Sequence, residues 1–437
     1  MKVLVLSLGT RGDVQPFLAL AVALRQAGHD AVLAAPHRFA AAAAAHAVPF
    51  AGLDEGPLQL AESGGAVADV AGGRFGARLA LIRELPATFA RVLRDCWAAA
   101  GPGGPGAGAQ LVVHNGQVVG GPHVAEKLAV PAVLALTLPM YVPTRAFPWP
   151  GQSFPEGLPS VLNRVTYAGM KAPAMMFGKV VDAFRAELGL PRSRGRHDPT
   201  RTPDGAAAPV LHAVSPQVLP RPADWPDTAL MTGYWQLPAP TTGLAPELEA
   251  FLAAGPPPVY VGFGSMTGAD PETTTRIVLD AVDRAGVRAV LATGWGGLSA
   301  GPQRDDVLVV DEAPHELLFP QVAAVVHHGG AGTTAAAVTA GRPQVICPFV
   351  ADQPFWGRRM HQLGVAATPI PQRRLSAAGL GQAIAEVMGD PSYPAHAEAL
   401  GHLVRAENGV AVAIAELERI GTTTTTPHTG TAGGSPV

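Results

Sequence analysis

The chain has 437 residues, enough for two or three domains with sizeable cores. Hydrophobic residues make up 48% and charged residues 15%, and the formal net charge is −3. This is the composition of a soluble globular protein, and it excludes the basic field that a nucleic-acid partner would require. The 51 glycines and 43 prolines predict loops rich in both, short of the disordered range. The cysteines, Cys96 and Cys347, lack any paired spacing, which argues against a disulfide framework. The N-terminal KVLVLSL is too short for a secretory signal, and no window approaches the roughly 20 apolar residues of a membrane span. The expectation is a cytoplasmic protein without a transmembrane segment.

From the N-terminus, KVLVLSL, AVLAAP, QLVVHN, PAVLALTLP and PVLHAVS read as strands. PFLALAVALRQAGHD lies between the first two and reads as a helix: Pro16 sits near its start, Phe17, Leu20 and Leu24 share a face, and Gly28 stops it. FAAAAAAH at 39–46 reads as an alanine-rich helix with His46 facing solvent, and His29 as a helix-end residue. GPGGPGAGA at 101–109 and RSRGRHDPTRTPDG at 192–205 are expected to be exposed loops. The methionines of MMFGKVVDAFRAELGL, at helical spacing, are expected in a core, with the lining of an apolar acceptor pocket as the alternative. The proline-dense segment 216–244 reads as a linker. Beyond it PPPVYVGFG, RAVLATG, DVLVV, AAVVHHG and PQVICPF repeat the strand pattern, and the tail after Ile420 has nothing to bury. Strands alternating with helical segments predict an α/β fold with parallel sheets.

The stretch VVHHGGAGTTAAA at 325–337 carries the clearest chemistry. A buried strand runs out at its carboxyl end, and AGTTAAAVTAG opens a short helix that Gly341 stops. Glycines 329, 330 and 332 let the backbone approach a ligand, while exposed N–H groups and the helix dipole make an anion site. His328 is placed to donate, charged or neutral, to a phosphate oxygen. Zinc is disfavoured, because His327 and His328 are adjacent on a strand and point to opposite faces, with no further ligands nearby. Further on, PQVICPFVADQPFWGRR ends a strand in Asp352-Gln353, a carboxylate and an amide suited to sugar hydroxyls. The alternative for Asp352 is a helix N-cap.

The block DEAPHELLFPQVAAVVHHGGAGTTAAAVTAGRPQVICPFVADQPFWGRRMHQLG resembles the donor-binding region of nucleotide-sugar-dependent glycosyltransferases of the GT-B fold. LSLGTRGDVQPFLALAVALRQAGHDAVLAAP, PPPVYVGFGSM, ATGWGG and DWPDTALMTGYW are similar to the same enzymes, in the subgroup of sterol and glycopeptide-antibiotic glycosyltransferases. The similarity covers most of 1–420 and weakens around 60–110 and 145–205, where such enzymes vary with their acceptors. It implies an α/β fold of two facing Rossmann-like doubly wound domains with an interdomain cleft. The acceptor domain would be 1–215, the linker 216–244, the donor domain 245–400, a returning C-terminal helix 401–420 and a disordered tail 421–437.

By the same resemblance His328, Gly330, Gly332 and Thr333 would contact the diphosphate, and Asp352 and Gln353 the transferred sugar. Ser265 would lie near the phosphates, Trp295 near the nucleoside, and the backbone around Ala313 would face the base. Plant relatives carry a tryptophan at the position of Glu312 and a ribose-binding glutamate at that of Ala336, which leaves uridine against thymidine open. Asp13 in GTRGDVQP, flanked by Arg11 and Gly12 on the acceptor side, matches the proposed general base. From its residues alone, Asp13 reads sooner as a cap of the helix at Pro16 or a surface partner of Arg11 than as a base, and the resemblance reverses that order.

Sugar transfer needs help for the departing diphosphate and a base for the acceptor alcohol. The chain has no Asp-X-Asp motif for a divalent metal, so the helix end and His328 would supply the positive potential. The expectation is a metal-independent inverting transferase without a cofactor. UDP- or dTDP-sugar would be its co-substrate and an apolar small molecule its acceptor, and the chain would be a monomer or weak homodimer. Two rivals are weighed. A dinucleotide-dependent oxidoreductase lacks its G-x-G-x-x-G in the first turn. A non-catalytic helper of the same fold would be expected to lose the donor pocket, whose residues are present here.

Overall fold

In the computed structural model, residues 1–62, 75–155, 157–192, 198–238, 243–264, 270–294, 298–299 and 304–423 are described. A first sheet of seven strands comprises β1 (Lys2–Leu6), β2 (Asp30–Pro36), β3 (Phe50–Leu53), β4 (Leu111–Asn115), β5 (Ala132–Leu136), β6 (Val210–His212) and β7 (Ala229–Met231). Its order is β3-β2-β1-β4-β5-β6-β7, and β1 to β5 pair in parallel. A second sheet of five, β8 (Val259–Gly262), β9 (Ala289–Ala292), β10 (Val307–Val310), β11 (Ala324–His327) and β12 (Gln344–Ile346), is parallel throughout in the order β10-β9-β8-β11-β12.

The strands are apolar almost without interruption because helices cover both faces. In the second sheet Val259, Val261, Leu291 and Val326 enter one core, while their neighbours Tyr260, Val290 and Val325 enter another. In the first sheet Leu4, Leu6, Val32 and Val112 pack with Val181, Phe184 and Leu188. Phe17, Leu20 and Leu24 are buried as their spacing predicts, and Gly28 follows the helix at φ +86°. That helix, Arg11–Gln26, starts earlier than expected and takes Pro16 inside it. The reason is the turn before it, where Thr10 is the N-cap and Asp13 the third residue of a capping box.

Two strands escaped the sequence reading. β3 is four residues with a glycine inside, and β7 lies in the segment expected to be a linker. That segment is packed: Trp225 stacks on His212 (4.3 Å, 18°) and donates Nε1–H to Val142 O (3.1 Å), while Trp235 Nε1–H donates to Thr232 Oγ1. The chain divides into two compact units, Met1–Ala135 with Pro173–Leu211 and Val410–Val437, and Leu136–Ala172 with His212–Gly409. The division therefore differs from a single cut at 215: residues 136–172 go with the second unit, and 401–409 stay there also. Helix Gly409–Thr423 joins the first unit, where Glu418 Oε1 meets His29 Nε2 at 2.9 Å. Residues 193–197 of the loop expected at 192–205, the side chains of Met175 and Met176, and the tail from 424 lie outside the described residues. No helix among the described residues is long and apolar enough to cross a membrane.

Candidate active site

Each sheet has one place where neighbouring strands send their connections in opposite directions, and in open α/β sheets ligands bind beyond the carboxyl ends of the strands there. In the first sheet it lies between β1 and β4, in the second between β8 and β11. Asp13 follows β1, and His328, Gly330, Gly332 and Thr333 follow β11, while Asp352 and Gln353 follow the neighbouring β12.

Beyond β1, Asp13 is partly exposed and tightly held. Its Oδ2 accepts from Thr10 N–H (2.8 Å) and Thr10 Oγ1 (3.0 Å), and its Oδ1 from Gln117 Nε2 (2.9 Å). Gly9 has φ +129°, and a Cβ there would collide with Oδ2. Desolvation by the surrounding protein raises the pKa of Asp13 above its ordinary value, against the lowering effect of those hydrogen bonds. The carboxylate thus belongs to the capping box at the helix start, and burial raises its affinity for a proton. Arg11 and Gly12 are exposed, and Arg11 Nε donates to Gln15 Oε1 (3.2 Å).

Asn115, which the sequence reading passed over, ties the two strand ends together. Its Nδ2 donates to Leu8 O (2.7 Å) and Ser7 Oγ (3.2 Å), and its Oδ1 accepts from Gln117 N–H and Val118 N–H. Ser7 Oγ in turn donates to Asp13 O (3.0 Å). His114 beside it is buried and neutral, with a pKa lowered by burial to about 4.

Beyond β11 the two histidines diverge as the strand period requires: their rings lie 6.3 Å apart at 87°. His327 is a core residue. Gly329 N–H donates to its Nδ1 (3.0 Å), so its Nε2–H donates to Gln344 Oε1 (2.9 Å). His328 sits between two glycines: a Cβ at Gly330 would collide with its Nε2, and one at Gly264, just past β8, would lie 3.3 Å from its Cε1. Burial lowers its pKa to about 4, so it is a neutral donor. Its Nδ1 is buried with no partner among the described residues, and so is Thr334 Oγ1. Helix Ala331–Thr339 begins there, capped by Gly330 with no side-chain hydrogen bond. Gly332 is exposed and Thr333 partly exposed, while Thr334 is fully buried.

Asp352 precedes helix Gln353–Gln362 as its N-cap residue without a side-chain capping bond. Instead its Oδ2 accepts from the buried Trp356 Nε1 (2.9 Å). Gln353 Oε1 accepts from Phe349 N–H (2.7 Å) and Val350 N–H (3.2 Å), which holds the side chain against the turn after β12. Ala351 between them has φ +57°, a left-handed conformation strained for a residue with a Cβ. Ala313 is buried in the core beneath β8 and β9. Ser265 and Trp295 lie outside the described residues. Asn115, Gln117 and Trp356 left no local signal, since each acts through a partner that only the fold or the helix phase brings near.

Two parallel α/β sheets, each with polar residues at its switch point, define the class: the GT-B architecture of nucleotide-sugar transferases. Crystal structures of the kitacinnamycin glycotransferase (TM-score 0.70, 18% identity, 96% of this chain and 98% of that one) and of glycosyltransferase VinC in complex with dTDP (0.65, 20%, 97% and 100%) share the fold. Residues 3–148 match the glycosyltransferase family 28 N-terminal domain, and 278–415 the erythromycin biosynthesis protein CIII-like C-terminal domain. The chain is 33% identical over 444 residues to the O-mycaminosyltylonolide 6-deoxyallosyltransferase of Streptomyces fradiae, covering 98% of this chain and 100% of that one. It is 32% identical over 440 residues to the sterol 3-beta-glucosyltransferase of Emericella nidulans, covering 96% of this chain but 30% of that longer protein. The chain belongs to this family of glycosyltransferases and is a transferase enzyme.

Proposed function

We propose that this protein is an inverting, metal-independent glycosyltransferase. It moves a sugar from a UDP- or dTDP-type donor to a hydroxyl of an apolar small molecule, of which macrolide and sterol alcohols are the classes its relatives' names suggest. The observation that carries the reading is the pair of buried polar atoms without a partner among the described residues, His328 Nδ1 and Thr334 Oγ1, at the N-terminus of helix Ala331–Thr339, whose N-cap Gly330 offers no side-chain hydrogen bond. Buried polar groups are nearly always bonded, so groups left open at a helix dipole's positive end suit an anionic ligand that supplies acceptors. A diphosphate fits that requirement.

In this reading the donor's diphosphate lies against the amides at 331–333 and accepts from neutral His328, and Asp352, oriented by Trp356, takes sugar hydroxyls. Asp13 removes the proton from the acceptor hydroxyl as its oxygen attacks the anomeric carbon. The bond to the diphosphate breaks, and the leaving charge is stabilised by donors already in position. One displacement without a second carboxylate nucleophile inverts the anomeric centre. The missing Asp-X-Asp motif supports a reaction without a divalent metal, and the reading needs no cofactor.

The test is a nucleotide panel followed by product analysis. UDP or dTDP at a hundred times its Kd should stabilise the protein by about 2.7 kcal/mol, with GDP and NAD silent. Transfer should continue in EDTA, and proton NMR of the product should show the anomeric configuration opposite to the donor's. Retention of configuration, or loss of activity in EDTA restored by magnesium, would refute the corresponding part. A response to NAD alone would refute the donor site.

A further inference from the structure

Carboxylate oxygens each offer two lone-pair sites, and the two oxygens of Asp13 are used unequally. Oδ2 is filled by Thr10 N–H and Thr10 Oγ1 and is pressed against Gly9. Oδ1 accepts a single bond, from Gln117 Nε2 at 2.9 Å. The basic lone pair that remains is therefore on Oδ1, and the side chain that sets its direction comes from another strand end, 104 residues further along the chain. Gln117 is held there in turn: its N–H donates to the buried Asn115 Oδ1 (3.2 Å), the residue that ties β1 to β4. Its own side chain is exposed, so it fills no core.

We propose that Gln117 is a positioning residue for the transfer reaction, locking the Asp13 carboxylate so that one lone pair of Oδ1 is presented to the acceptor hydroxyl. The inference rests on the reading of Asp13 as the general base. Thr10 alone leaves Oδ1 without a partner, and the capping box would be satisfied without Gln117. A donor on Oδ1 is superfluous to the helix and useful to the chemistry. It also favours the charged carboxylate over the acid, which keeps Asp13 ionised while desolvation strengthens it as a base. The groups in contact with the carboxylate, Thr10, Gly9 and Gln117, do not titrate in the working range. Among charged neighbours, Arg11 on the same helix donates to Gln15, and His114 on β4 is neutral above about pH 4. The acid limb of the rate profile should therefore report Asp13 itself.

The experiment is the pH dependence of kcat/KM for wild type, Gln117→Ala and Gln117→Glu, with nucleotide-induced thermal stabilisation as the control for folding and the donor site. Alanine removes a donor to a charged group, and the acid limb should rise by roughly half to one pH unit. Glutamate replaces that donor with a like charge, so the limb should rise further. Stabilisation by nucleotide should match wild type in both. An alanine variant whose acid limb coincides with or lies below that of wild type overturns the assignment of Gln117. Asp13→Asn, measured in parallel, separates the two claims. If it keeps wild-type turnover, the reading of Asp13 falls. If it is inactive while the Gln117 variants keep the wild-type limb, only the positioning role falls.

Discussion

At the β1/β4 switch point the carboxylate of Asp13 is bonded on both oxygens by Thr10 and Gln117, whereas at β8/β11 His328 Nδ1 and Thr334 Oγ1 are buried with no partner among the described residues. The two places make different demands on a protein. A general base must be aimed before the substrate arrives, since an oxygen free to rotate spends little time on the line of attack. A diphosphate brings its own acceptors, so its donors can be left waiting in a rigid turn of glycines. On the proposed function, one site is finished by the chain and the other would be finished by the ligand.

The sharpest way to break this comparison is Asp13→Asn. The amide keeps the shape, so nucleotide-induced stabilisation should be unchanged, while transfer falls by roughly 10²–10⁴-fold in steady-state assays. Near-normal turnover would leave Asp13 as a helix cap alone.

Acid should separate the two units next. His212, His327 and His328 in the second unit have pKa values lowered to about 4, 3 and 4, and the first contributes His114 at about 4. Unfolded histidines take up protons below about pH 6.5 that these folded ones refuse, so the stability is complete above pH 6.5 and drains as pH falls toward 4. Each fully buried histidine then costs up to about 1.4 kcal/mol per pH unit. The raised pKa of Asp13 acts the other way, because the folded carboxyl binds a proton more readily than the unfolded one. Hydrogen exchange from pH 7 to 5 should show the second unit losing protection ahead of the first. Equal losses would mean that the histidines are not what governs acid stability.

A smaller effect is expected from Trp356→Phe, which keeps the ring packing and removes the donor to Asp352 Oδ2. Losing a hydrogen bond to a charged group should weaken sugar-nucleotide binding roughly tenfold and leave the free nucleotide nearly unaffected, as read by calorimetry. Equal losses for both ligands would make Asp352 a structural residue. The smallest is Ala351→Gly. It relieves the left-handed strain at φ +57° at the expense of chain entropy, for a net gain of about 0.5 kcal/mol in thermal unfolding.

Much of this was legible in the sequence because it depends on local periodicity. The opposite faces of His327 and His328 follow from the strand period, and the glycines at 329 and 330 sit where a Cβ would meet Ile346, Gln353 and His328. The apolar strands were legible for the same reason, except where they were short: β3 carries Gly52, and β7 is three residues within a proline-dense run. What was hidden depends on distance or phase. Gln117 meets Asp13 only because β1 and β4 are neighbours, and Trp356 meets Asp352 across one helical turn. Which of Thr333 and Thr334 turns inward is set by the phase of a helix whose first residue the sequence leaves open. Asp13 shows the limit most clearly. Its sequence supported a cap or a base, and the geometry makes it a capping residue whose carboxylate has a lone pair to spare.

The most direct test of the account is calorimetric titration of UDP and dTDP into wild type, Asp13→Asn and His328→Ala, with transfer measured on the same samples. The account predicts that His328→Ala loses nucleotide affinity by roughly tenfold, the scale of a buried hydrogen bond, while Asp13→Asn binds like wild type and loses transfer. Normal affinity in His328→Ala, or a loss of affinity in Asp13→Asn as large as its loss of rate, would contradict the division of labour between the two switch points.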